Sequence, residues 1–326
     1  MRDSELGWQK ILAQGFSSAF ELLDFLHLPR SLAASLAERH FKTRVPRGFA
    51  DRMQRSNPRD PLLLQVLATS EELQVVEGYS ADPLVESAVN PVPGLIHKYL
   101  SRVLLTLTGA CAINCRYCFR RHFPYDDNNP GRGGWDKALE YIRADSRINE
   151  VILSGGDPLL AKDGILVALF DKLSAIPHIQ TVRIHTRIPV VLPERVDKGL
   201  LECLSHTRLN KVVVLHCNHP QELNESVANA CRLLRNVGCH LLNQSVYLTG
   251  INNNALVLVE LSERLFAYGV LPYYLHVLDK VAGAAHFDAP IDEVRGVFQE
   301  MQRLLPGYLI PRLAREEPGA LHKVLI

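Results

Sequence analysis

The sequence lacks any long hydrophobic run. No apolar stretch in its 326 residues reaches the roughly 18 residues that a membrane-spanning helix needs. The N-terminus, MRDSELGWQKILAQGF, also lacks the uninterrupted apolar segment of a secretory signal peptide. We therefore expect a cytoplasmic protein that does not interact with membranes.

The sequence also has no excess of charge of either sign. Its 36 Lys and Arg residues are balanced by 35 Asp and Glu residues, which gives a formal net charge of +1. Proteins that bind nucleic acids or membrane surfaces usually carry an excess of basic residues, so we expect no nucleic-acid partner. Hydrophobic residues make up 47% and charged residues 22%, a balance typical of a soluble globular protein.

A disulfide framework is not expected either, although the chain has seven cysteines. The cytoplasm keeps thiols reduced. Three cysteines, Cys111, Cys115 and Cys118, lie within eight positions in the segment CAINCRYCFRRHF and have no fourth cysteine beside them. The other four follow no ligand-like spacing and are interpreted as small buried side chains: Cys203, Cys217, Cys231 and Cys239.

The apolar pattern changes near residue 100. Residues 1 to about 95 include SSAFELLDFLHL, SLAASLAERHF and DPLLLQVLAT, whose apolar residues recur at helical spacing and predict a mostly helical region. From residue 102 onward, short β-branched runs alternate with amphipathic stretches, and this alternation predicts an α/β fold with a parallel sheet covered by helices. The predicted strands are RVLLTLT, VILSGG, TVRIHT, KVVVLHC, CHLLNQSV and VLPYYLHV, and the predicted helices lie near 135–145, 164–175, 194–205, 221–237, 253–268 and 291–304.

Polar side chains follow nearly every predicted strand. In chain order, the strand exits read GACAINCRYCFRR, SGGD, HTR, HCNH, NQS and HVLDK. The working residues of parallel barrels lie at the carboxyl ends of the strands. The exits therefore predict a catalytic site at that end of the sheet.

Three thiolates this close together can surround one soft metal centre. A structural zinc site normally takes four ligands, and His122 could supply the fourth, so a local zinc site is one alternative. An iron–sulfur cluster fits better, because cysteine thiolates are its usual ligands. Three thiolates would bind three irons of a cubane and leave the fourth iron open to a small molecule. A chance grouping of three buried cysteines is the remaining interpretation.

The CX3CX2C spacing after the first predicted strand, with Tyr117 just before the third cysteine, resembles the signature of the radical S-adenosylmethionine (SAM) superfamily. The resemblance implies a partial (β/α)6 barrel with an N-terminal helical region. It also implies a 4Fe–4S cluster held by Cys111, Cys115 and Cys118. In that superfamily SAM chelates the free iron and is cleaved to a radical by the reduced cluster.

The segment SGGD is similar to the glycine-rich stretch of the same superfamily, whose backbone approaches the amino group of SAM. The resemblance therefore implies cofactor contacts for this segment and for Tyr117. The residues of the segment are Ser154, Gly155, Gly156 and Asp157.

Longer segments resemble lysine 2,3-aminomutase and its relatives along residues 95 to 323. They are RVLLTLTGACAINCRYCFRR, VILSGGDPL, LLNQSVYLTGIN and PYYLHVLDKVAGAAHF. This resemblance implies pyridoxal phosphate as a further cofactor, bound covalently by Lys323 in the segment PGALHK, which makes Lys323 a catalytic residue. It also implies three parts of the chain: a helical region at 1–95, a partial barrel at 96–310 and a C-terminal segment at 311–326 that carries this lysine.

The same resemblance assigns charged residues to the ligands. Arg120 would bind the α-carboxylate of the substrate, for which a guanidinium fork is better suited than an ammonium group. Asp279 and Glu316 would bind the distal ammonium group of the substrate, and Arg102 with Lys98 would bind the phosphate of pyridoxal phosphate. Without the resemblance, these residues read as surface charges or as exposed salt bridges that contribute little to stability.

The implied reaction moves an amino group between adjacent carbons of L-lysine and gives β-lysine. The segments RVPRGFADRMQRSNPRDPLLLQVL and CRYCFRRHFPY, and an end three residues after Lys323, resemble the short bacterial aminomutases that supply (R)-β-lysine for translation elongation factor P. The implied partners are free L-lysine, a flavodoxin- or ferredoxin-type reductant, and a separate ligase that attaches β-lysine to the factor. The alternatives are a degradative lysine or glutamate 2,3-aminomutase and a non-catalytic zinc-binding module.

Overall fold

The computed structural model describes residues 7–128 and 135–326. Residues 1–6 of the predicted helical region and residues 129–134 of the predicted barrel lie outside the described residues.

A single sheet organises the described part of the chain. Its nine strands lie side by side in chain order, so each strand pairs with the next one along the sequence. Strands β2 to β8 are parallel, whereas the edge strands β1 and β9 pair antiparallel with β2 and β8. The two edges do not pair with each other, so the barrel is open. The strands are β1 (Leu95–Tyr99), β2 (Arg102–Thr108), β3 (Glu150–Gly155), β4 (Thr181–Thr186), β5 (Asn210–His216), β6 (Cys239–Val246), β7 (Leu271–His276), β8 (Arg312–Arg315) and β9 (Val324–Leu325).

Helices connect successive parallel strands, as expected of βα units. Asparagine and aspartate side chains cap the N-termini of several of these helices. At the start of α10, for example, Asn224 Oδ1 accepts from the N–H of Val227 (3.1 Å). The α-helices assigned in residues 7–128 and 135–326 are α1 (Trp8–Ala13), α2 (Ala19–Phe25), α3 (Ser35–His40), α4 (Arg47–Ala50), α5 (Pro61–Leu64), α6 (Trp135–Ala144), α7 (Asp163–Ser174), α8 (Ile188–Val191), α9 (Lys198–His206), α10 (Glu225–Asn236), α11 (Ala255–Ala267) and α12 (Ile291–Leu304).

The predicted α/β class is confirmed. The six predicted strands appear as β2 to β7, with ends that agree within one residue. Alternation explains β4, where Val182, Ile184 and Thr186 are buried and the residues between them are half-buried. The predicted starts of α9 and α10 are four residues too early, because 3₁₀ turns at Pro193–Arg195 and Pro220–Glu222 precede the helices.

The N-terminal region packs on the sheet as part of the same core. Its helices α1 to α5 are only four to seven residues long and are joined by turns. Leu22, Phe49 and Leu62 of this region belong to one apolar cluster with Leu105 and Leu153 of the sheet. The division of the chain at residues 95 and 310 stays a prediction.

All seven cysteines are free thiols, and the four scattered ones are buried as predicted. Of the helices that the structure describes, none combines the length and the apolar character needed to cross a membrane.

Candidate active site

All fourteen residues that the sequence assigns to the site line one cavity with a volume of about 290 Å³. The cavity extends from the start of β2 to the loops that follow β2, β3 and β4. Its predicted members are Lys98, Arg102, Cys111, Cys115, Tyr117, Cys118, Arg120, Ser154, Gly155, Gly156, Asp157, Asp279, Glu316 and Lys323. The structure thus brings these residues together, while the chemical role of each stays a prediction.

The three cysteines lie in the loop after β2, and the N-terminal region holds this loop in place. Arg44 Nη1 donates to the carbonyl oxygen of Cys111 (2.8 Å). Asn114 Nδ2, between the first two cysteines, donates to the carbonyl oxygen of Lys42 (2.8 Å). The N–H of Arg116 donates to the carbonyl oxygen of Gln65 (2.9 Å). The position of the loop therefore depends on residues far away in the sequence.

A buried charge cluster fixes the middle of the cysteine loop. Arg116 donates to both carboxylate oxygens of Glu72, with distances of 2.7 Å from Nε and 2.5 Å from Nη2. Arg121 Nη2 also donates to Glu72 (2.6 Å), and all three side chains are buried. Both guanidinium groups lie against the ring of Phe41. Because a buried charge is costly without a partner, this cluster ties the loop to the N-terminal region.

The three cysteines of the loop are half-buried, and their thiols are close enough to influence one another. Burial raises the pKa of the Cys111 thiol well above its usual range, and the nearby Cys118 adds to this increase. Burial also raises the pKa of Cys118 to about 11. Arg187, which follows β4, donates from Nη1 to Cys115 Sγ (2.7 Å). Three thiols at a cavity wall, with a cation beside one of them, fit an iron–sulfur cluster held by three thiolates.

His122, the suggested fourth ligand of the zinc alternative, does not line the cavity with the cysteines. Its Nε2 lies 3.1 Å from the carbonyl oxygen of Ala282 instead. Among the residues that the structure describes, no group of three His, Cys, Asp or Glu side chains could hold a single metal ion.

Two glycines let the end of β3 approach the cysteine loop. A Cβ on Gly156 would lie 2.6 Å from the carbonyl carbon of Ala110, and one on Gly155 would lie 2.5 Å from the carbonyl oxygen of Thr108. Gly155 also has a φ of +116°, which L-residues rarely adopt. The close packing of the chain therefore explains why glycines occupy these two positions, in addition to their predicted contact with SAM.

The Asp157 carboxylate is occupied by protein groups. It accepts from Thr186 Oγ1 (2.7 Å) and from the N–H groups of Arg187 (2.7 Å) and Ile188 (3.2 Å). Burial raises the pKa of Asp157 to about 6, and these hydrogen bonds oppose the increase. Asp157 thus fixes the turn that carries Arg187, and its direct contact with SAM stays a prediction.

Tyr117 is buried and joins the cysteine loop to the end of β5. Its hydroxyl group lies 2.9 Å from His216 Nε2 and accepts from Asn218 Nδ2 (2.6 Å). The rings of Tyr117 and His216 are stacked, with centroids 5.7 Å apart. Tyr117 therefore contributes a buried aromatic surface to the cavity wall.

Arg120 is buried and has two protein partners. Its Nε and Nη2 each donate to a carboxylate oxygen of Glu86 (2.8 Å), and its Nη1 donates to Ser154 Oγ (2.9 Å). Burial alone would raise the pKa of Glu86, but Arg120 and Lys98 lower it to about 2. Both members of the pair are therefore charged at neutral pH.

The Arg120–Glu86 pair continues into a longer row of opposite charges. Lys98 Nζ lies 3.1 Å from Glu86 and 3.9 Å from Glu316. Glu316 in turn forms an ion pair with Lys323. We call Arg120, Glu86, Lys98, Glu316 and Lys323 the ion-pair chain. It connects the predicted carboxylate-binding residue to the predicted pyridoxal phosphate lysine.

The two remaining charged candidates lie beside this chain. Arg102 lies over the ring of Tyr99, at 4.3 Å from the centroid, and the Tyr99 hydroxyl donates to Glu316 (2.7 Å). Asp279 faces the cavity and makes no side-chain hydrogen bond with the described residues. Burial raises the pKa of Asp279 to about 7, although Lys323 opposes the increase. Asp279 is therefore an acid available to a bound cation.

The polar residues of the cavity that the sequence did not single out include one acid and three histidines. Glu86 begins a short 3₁₀ helix (Glu86–Val89) before β1, where no periodic pattern marks it. His185, His216 and His276 end or nearly end β4, β5 and β7, in strand exits recognised only as polar. Burial lowers the pKa of His185 well below its usual range and the pKa of His216 and His276 to about 3, so all three are neutral. Nε2 of His185 is buried without a partner among the described residues, which fits a group that contacts a bound ligand.

The sequence of the chain is similar to those of known radical SAM enzymes. Residues 105–261 match the family model of the radical SAM superfamily. The L-lysine 2,3-aminomutase of Haemophilus influenzae is 48% identical over 98% of this chain and 96% of its own length. That of Escherichia coli is 49% identical over 96% of this chain and 92% of its own length. That of Clostridium subterminale is 39% identical over 81% of this chain and 64% of its own length.

Radical SAM enzymes hold a 4Fe–4S cluster and use SAM, so both are cofactors of this protein. The similarity to two aminomutases extends over nearly the whole length of all three chains. The chain therefore belongs to the lysine 2,3-aminomutase family of radical SAM enzymes.

Proposed function

We propose that the protein converts L-α-lysine to (R)-β-lysine, with pyridoxal phosphate as its third cofactor. One observation carries the proposal: a single cavity contains the three cysteines, Lys323 and side chains of both charges for the two ends of a basic amino acid. The aminomutase names of relatives at 48% and 49% identity support it. When bound, the cluster with SAM supplies a radical that abstracts hydrogen, and pyridoxal phosphate activates the migrating amino group.

Lys323 is the proposed attachment point of pyridoxal phosphate. Its Nζ is held at the cavity wall by Glu316 and lies 5.6 Å from the ring centroid of Tyr274. A lysine amine is the protein group that links covalently to this cofactor. Arg102 and Lys98 line the same cavity and supply cations for the phosphate group.

Arg120 is the proposed partner of the substrate α-carboxylate. Guanidinium has five N–H donors. Glu86 occupies the edge formed by Nε and Nη2, and Ser154 accepts one hydrogen bond from Nη1. The edge between the two Nη atoms therefore keeps donors for a second carboxylate.

Asp279 and Glu316 are the proposed partners of the distal ammonium group. Asp279 has no side-chain hydrogen-bond partner among the described residues, and Glu316 is charged because Lys323 lowers its pKa to about 2 against the effect of burial. The Glu316 carboxylate becomes available to a substrate cation when Lys323 turns toward its cofactor. Two acids at this end would repel the side-chain carboxylate of glutamate, which favours lysine over glutamate as the substrate.

We also propose that the product serves the modification of elongation factor P through a separate ligase, and that a flavodoxin- or ferredoxin-type protein reduces the cluster. Support comes from the resemblance of the sequence to the short bacterial aminomutases. The relatives from Haemophilus influenzae and Escherichia coli are matched over 96% and 92% of their lengths, against 64% for the clostridial enzyme.

Anaerobic reconstitution with iron, sulfide and pyridoxal phosphate, followed by turnover with SAM and a reductant, tests the proposal. L-lysine should give (R)-β-lysine by chiral chromatography, whereas L-glutamate should give no β-glutamate. Formation of β-glutamate would favour the glutamate enzyme instead. Purified protein that contains zinc but takes up neither iron nor sulfide would overturn the proposal in favour of a zinc-binding module. Addition of purified ligase and elongation factor P then tests the fate of the product.

A further inference from the structure

Glu86 is a buried acid placed against two cations of the site. Its side chain lines the cavity, and the residue is 3% exposed. Its carboxylate accepts two hydrogen bonds from Arg120, each at 2.8 Å, and lies 3.1 Å from Lys98 Nζ. An acid here could either compete with anionic ligands for these cations or hold the cations in position for them.

The backbone before Glu86 is strained. Val85 has a φ of +50°, which is an outlier for a β-branched residue. Asp82 compensates by accepting from the N–H of Glu86 (3.0 Å) and from Ser87 Oγ (3.0 Å). Strained residues persist where the surroundings enforce them, and they concentrate at functional sites. The strained turn directs the Glu86 side chain into the cavity, and this strain favours a functional role for Glu86 over a role in packing alone.

The geometry of Arg120 favours positioning over competition. Glu86 holds the Nε–Nη2 edge, and Ser154 accepts from Nη1 on another side of the group. Two partners in different directions fix both the location and the rotation of the planar guanidinium group. The edge between Nη1 and Nη2 is then presented in one orientation to the next carboxylate.

The charge balance points to the same role. Arg120 and Lys98 contribute two positive charges, and Glu86 removes one of them. One net positive charge remains among these three groups, so Glu86 does not cancel their attraction for an anionic ligand. Without Glu86, the buried Arg120 and the half-buried Lys98 would have no shared counter-charge and would repel each other.

We propose that Glu86 is a positioning residue that holds Arg120 in the orientation in which it binds the α-carboxylate of the amino-acid substrate. The inference rests on the proposed function, because it takes Arg120 as the group that binds this carboxylate.

Steady-state kinetics of the reconstituted holoenzyme test the inference with Glu86→Gln, Arg120→Gln and the double variant. The amide of glutamine is uncharged and has one acceptor oxygen in place of two, so it cannot form the paired hydrogen bonds to Nε and Nη2. Glu86→Gln should therefore raise KM for L-lysine about 10- to 100-fold, as expected for loss of a charge-assisted hydrogen bond. The kcat should change less than about threefold, because the lost contact serves ground state and transition state alike. The inhibition constant of 1,5-diaminopentane, which lacks the α-carboxylate, should stay unchanged. The double variant should have the same KM as Arg120→Gln, because Glu86 acts only through Arg120.

Asp163→Asn is the matched control. Asp163 also accepts from a buried arginine, Arg195 Nη2 (2.7 Å), but neither residue lines the cavity. This substitution should leave KM for L-lysine unchanged.

The possible outcomes separate the inference from the proposed function. A wild-type KM in Glu86→Gln together with a raised KM in Arg120→Gln would overturn the role of Glu86 alone. A wild-type KM in Arg120→Gln would show that Arg120 does not bind the α-carboxylate. The assignment of Arg120 in the proposed function would then be wrong, and the inference about Glu86 would be wrong with it. Equal weakening of L-lysine and 1,5-diaminopentane in Glu86→Gln would indicate a general structural effect and would also overturn the inference. If Glu86→Gln does not fold, the double variant, which removes both charges, decides: a KM above that of Arg120→Gln contradicts the inference, and an equal KM supports it.

Discussion

Single residues of the cavity take their charge from burial and neighbours as much as from residue type. Glu316 and Asp279 are both acids near Lys323. The direct ion pair with Lys323 lowers the pKa of Glu316 to about 2, whereas burial without such a pair raises the pKa of Asp279 to about 7. The two acids therefore differ at neutral pH, since Glu316 is fully ionised and Asp279 is only partly so.

The charge state of Asp279 predicts a pH dependence of substrate binding. As the pH rises through about 7, Asp279 loses its proton and attracts an ammonium group more strongly. The KM for L-lysine should therefore fall as the pH rises from 6 to 8. In Asp279→Asn the KM should be higher, by about tenfold at pH 8, and should not change with pH in this way. Initial rates at several pH values measure this, and equal pH profiles for the variant and the wild type would contradict the assignment.

The raised pKa of Asp279 also predicts how the stability of the protein changes with pH. The native Asp279 has a pKa of about 7, above the value of 3.8 of an ordinary aspartate. The native state therefore binds this proton more tightly than the unfolded chain, so the stabilisation is complete below about pH 4 and is lost as the pH rises through about 7. Asp279→Asn should remove this part of the pH dependence in denaturant titrations.

The proposed covalent link between Lys323 and pyridoxal phosphate predicts a change in the absorbance spectrum when Lys323 is replaced. Lys323→Ala should remove the visible absorbance of covalently bound pyridoxal phosphate and lower kcat by about 10³-fold or more, because the attachment point is lost. Absorbance spectra and mass analysis after borohydride reduction measure the covalent link. Reduced cofactor found on another lysine in the wild type would contradict the assignment.

For single residues, the sequence pointed to the cavity wherever they lie in recognisable motifs, while their chemical roles stay predictions. Cys111 and Lys323 stand in short patterns that carry their own signal, and both line the cavity. Glu86 could not be found this way, because its proposed role depends on contact with Arg120, 34 residues away, and its own segment is a four-residue 3₁₀ helix, too short to show a periodic pattern.

Among the structural elements, the cysteine loop depends most on its neighbours. It approaches the end of β3 through two glycines and is tied to the N-terminal region by Glu72. Both contacts are buried, so a change in either one should affect the loop and the cluster that it is proposed to hold.

Gly156→Ala tests the approach of β3. The added Cβ would lie 2.6 Å from the carbonyl carbon of Ala110, so the loop has to move. We expect a loss of stability of about 2 kcal/mol or more and a lower iron content after reconstitution. Gly164→Ala, on α7, is the control: no atom lies within 4 Å of its added Cβ, and it should be neutral or stabilising by up to about 1 kcal/mol. Equal iron content in both variants would contradict this account of the glycines.

Glu72→Gln tests the buried charge cluster. The substitution leaves Arg116 and Arg121 buried without their carboxylate, which should cost about 3–5 kcal/mol in the free energy of unfolding. Asp145→Asn breaks the largely exposed Arg147–Asp145 pair and should cost far less than Glu72→Gln, because solvent screens exposed pairs. Urea denaturation measures the free energy of unfolding of both variants. Similar losses of stability in the two would show that burial does not explain the contribution of the cluster to stability.

The elements themselves were predictable where the pattern is long. Strands β2 to β7 contain six to eight residues with buried, often β-branched side chains, and each was predicted. The missed strands β1, β8 and β9 contain two to five residues. Segments that short show no clear alternation of apolar and polar residues. They become strands because they pair with a neighbour in the folded sheet: β1 with β2, β8 with β7, and β9 with β8.

In the whole molecule, the candidate site is assembled from the full length of the chain. The ion-pair chain begins with Glu86 before the sheet, includes Arg120 after β2, and ends with Lys323 beside the last strand. The N-terminal region adds Glu72 and Arg44, which hold the cysteine loop. No local pattern could predict this assembly, because one of its contacts joins Lys98 to Glu316, 218 positions further along the chain.

The central claim is that the cluster with SAM and the lysine site share one cavity. The most direct test is turnover of L-lysine deuterated at the β-carbon by the reconstituted protein, followed by mass analysis of the recovered SAM. We expect β-lysine as the product and deuterium in the 5′-deoxyadenosyl group of SAM, because hydrogen would pass between the two within the cavity. Formation of β-lysine without any deuterium in SAM would contradict it.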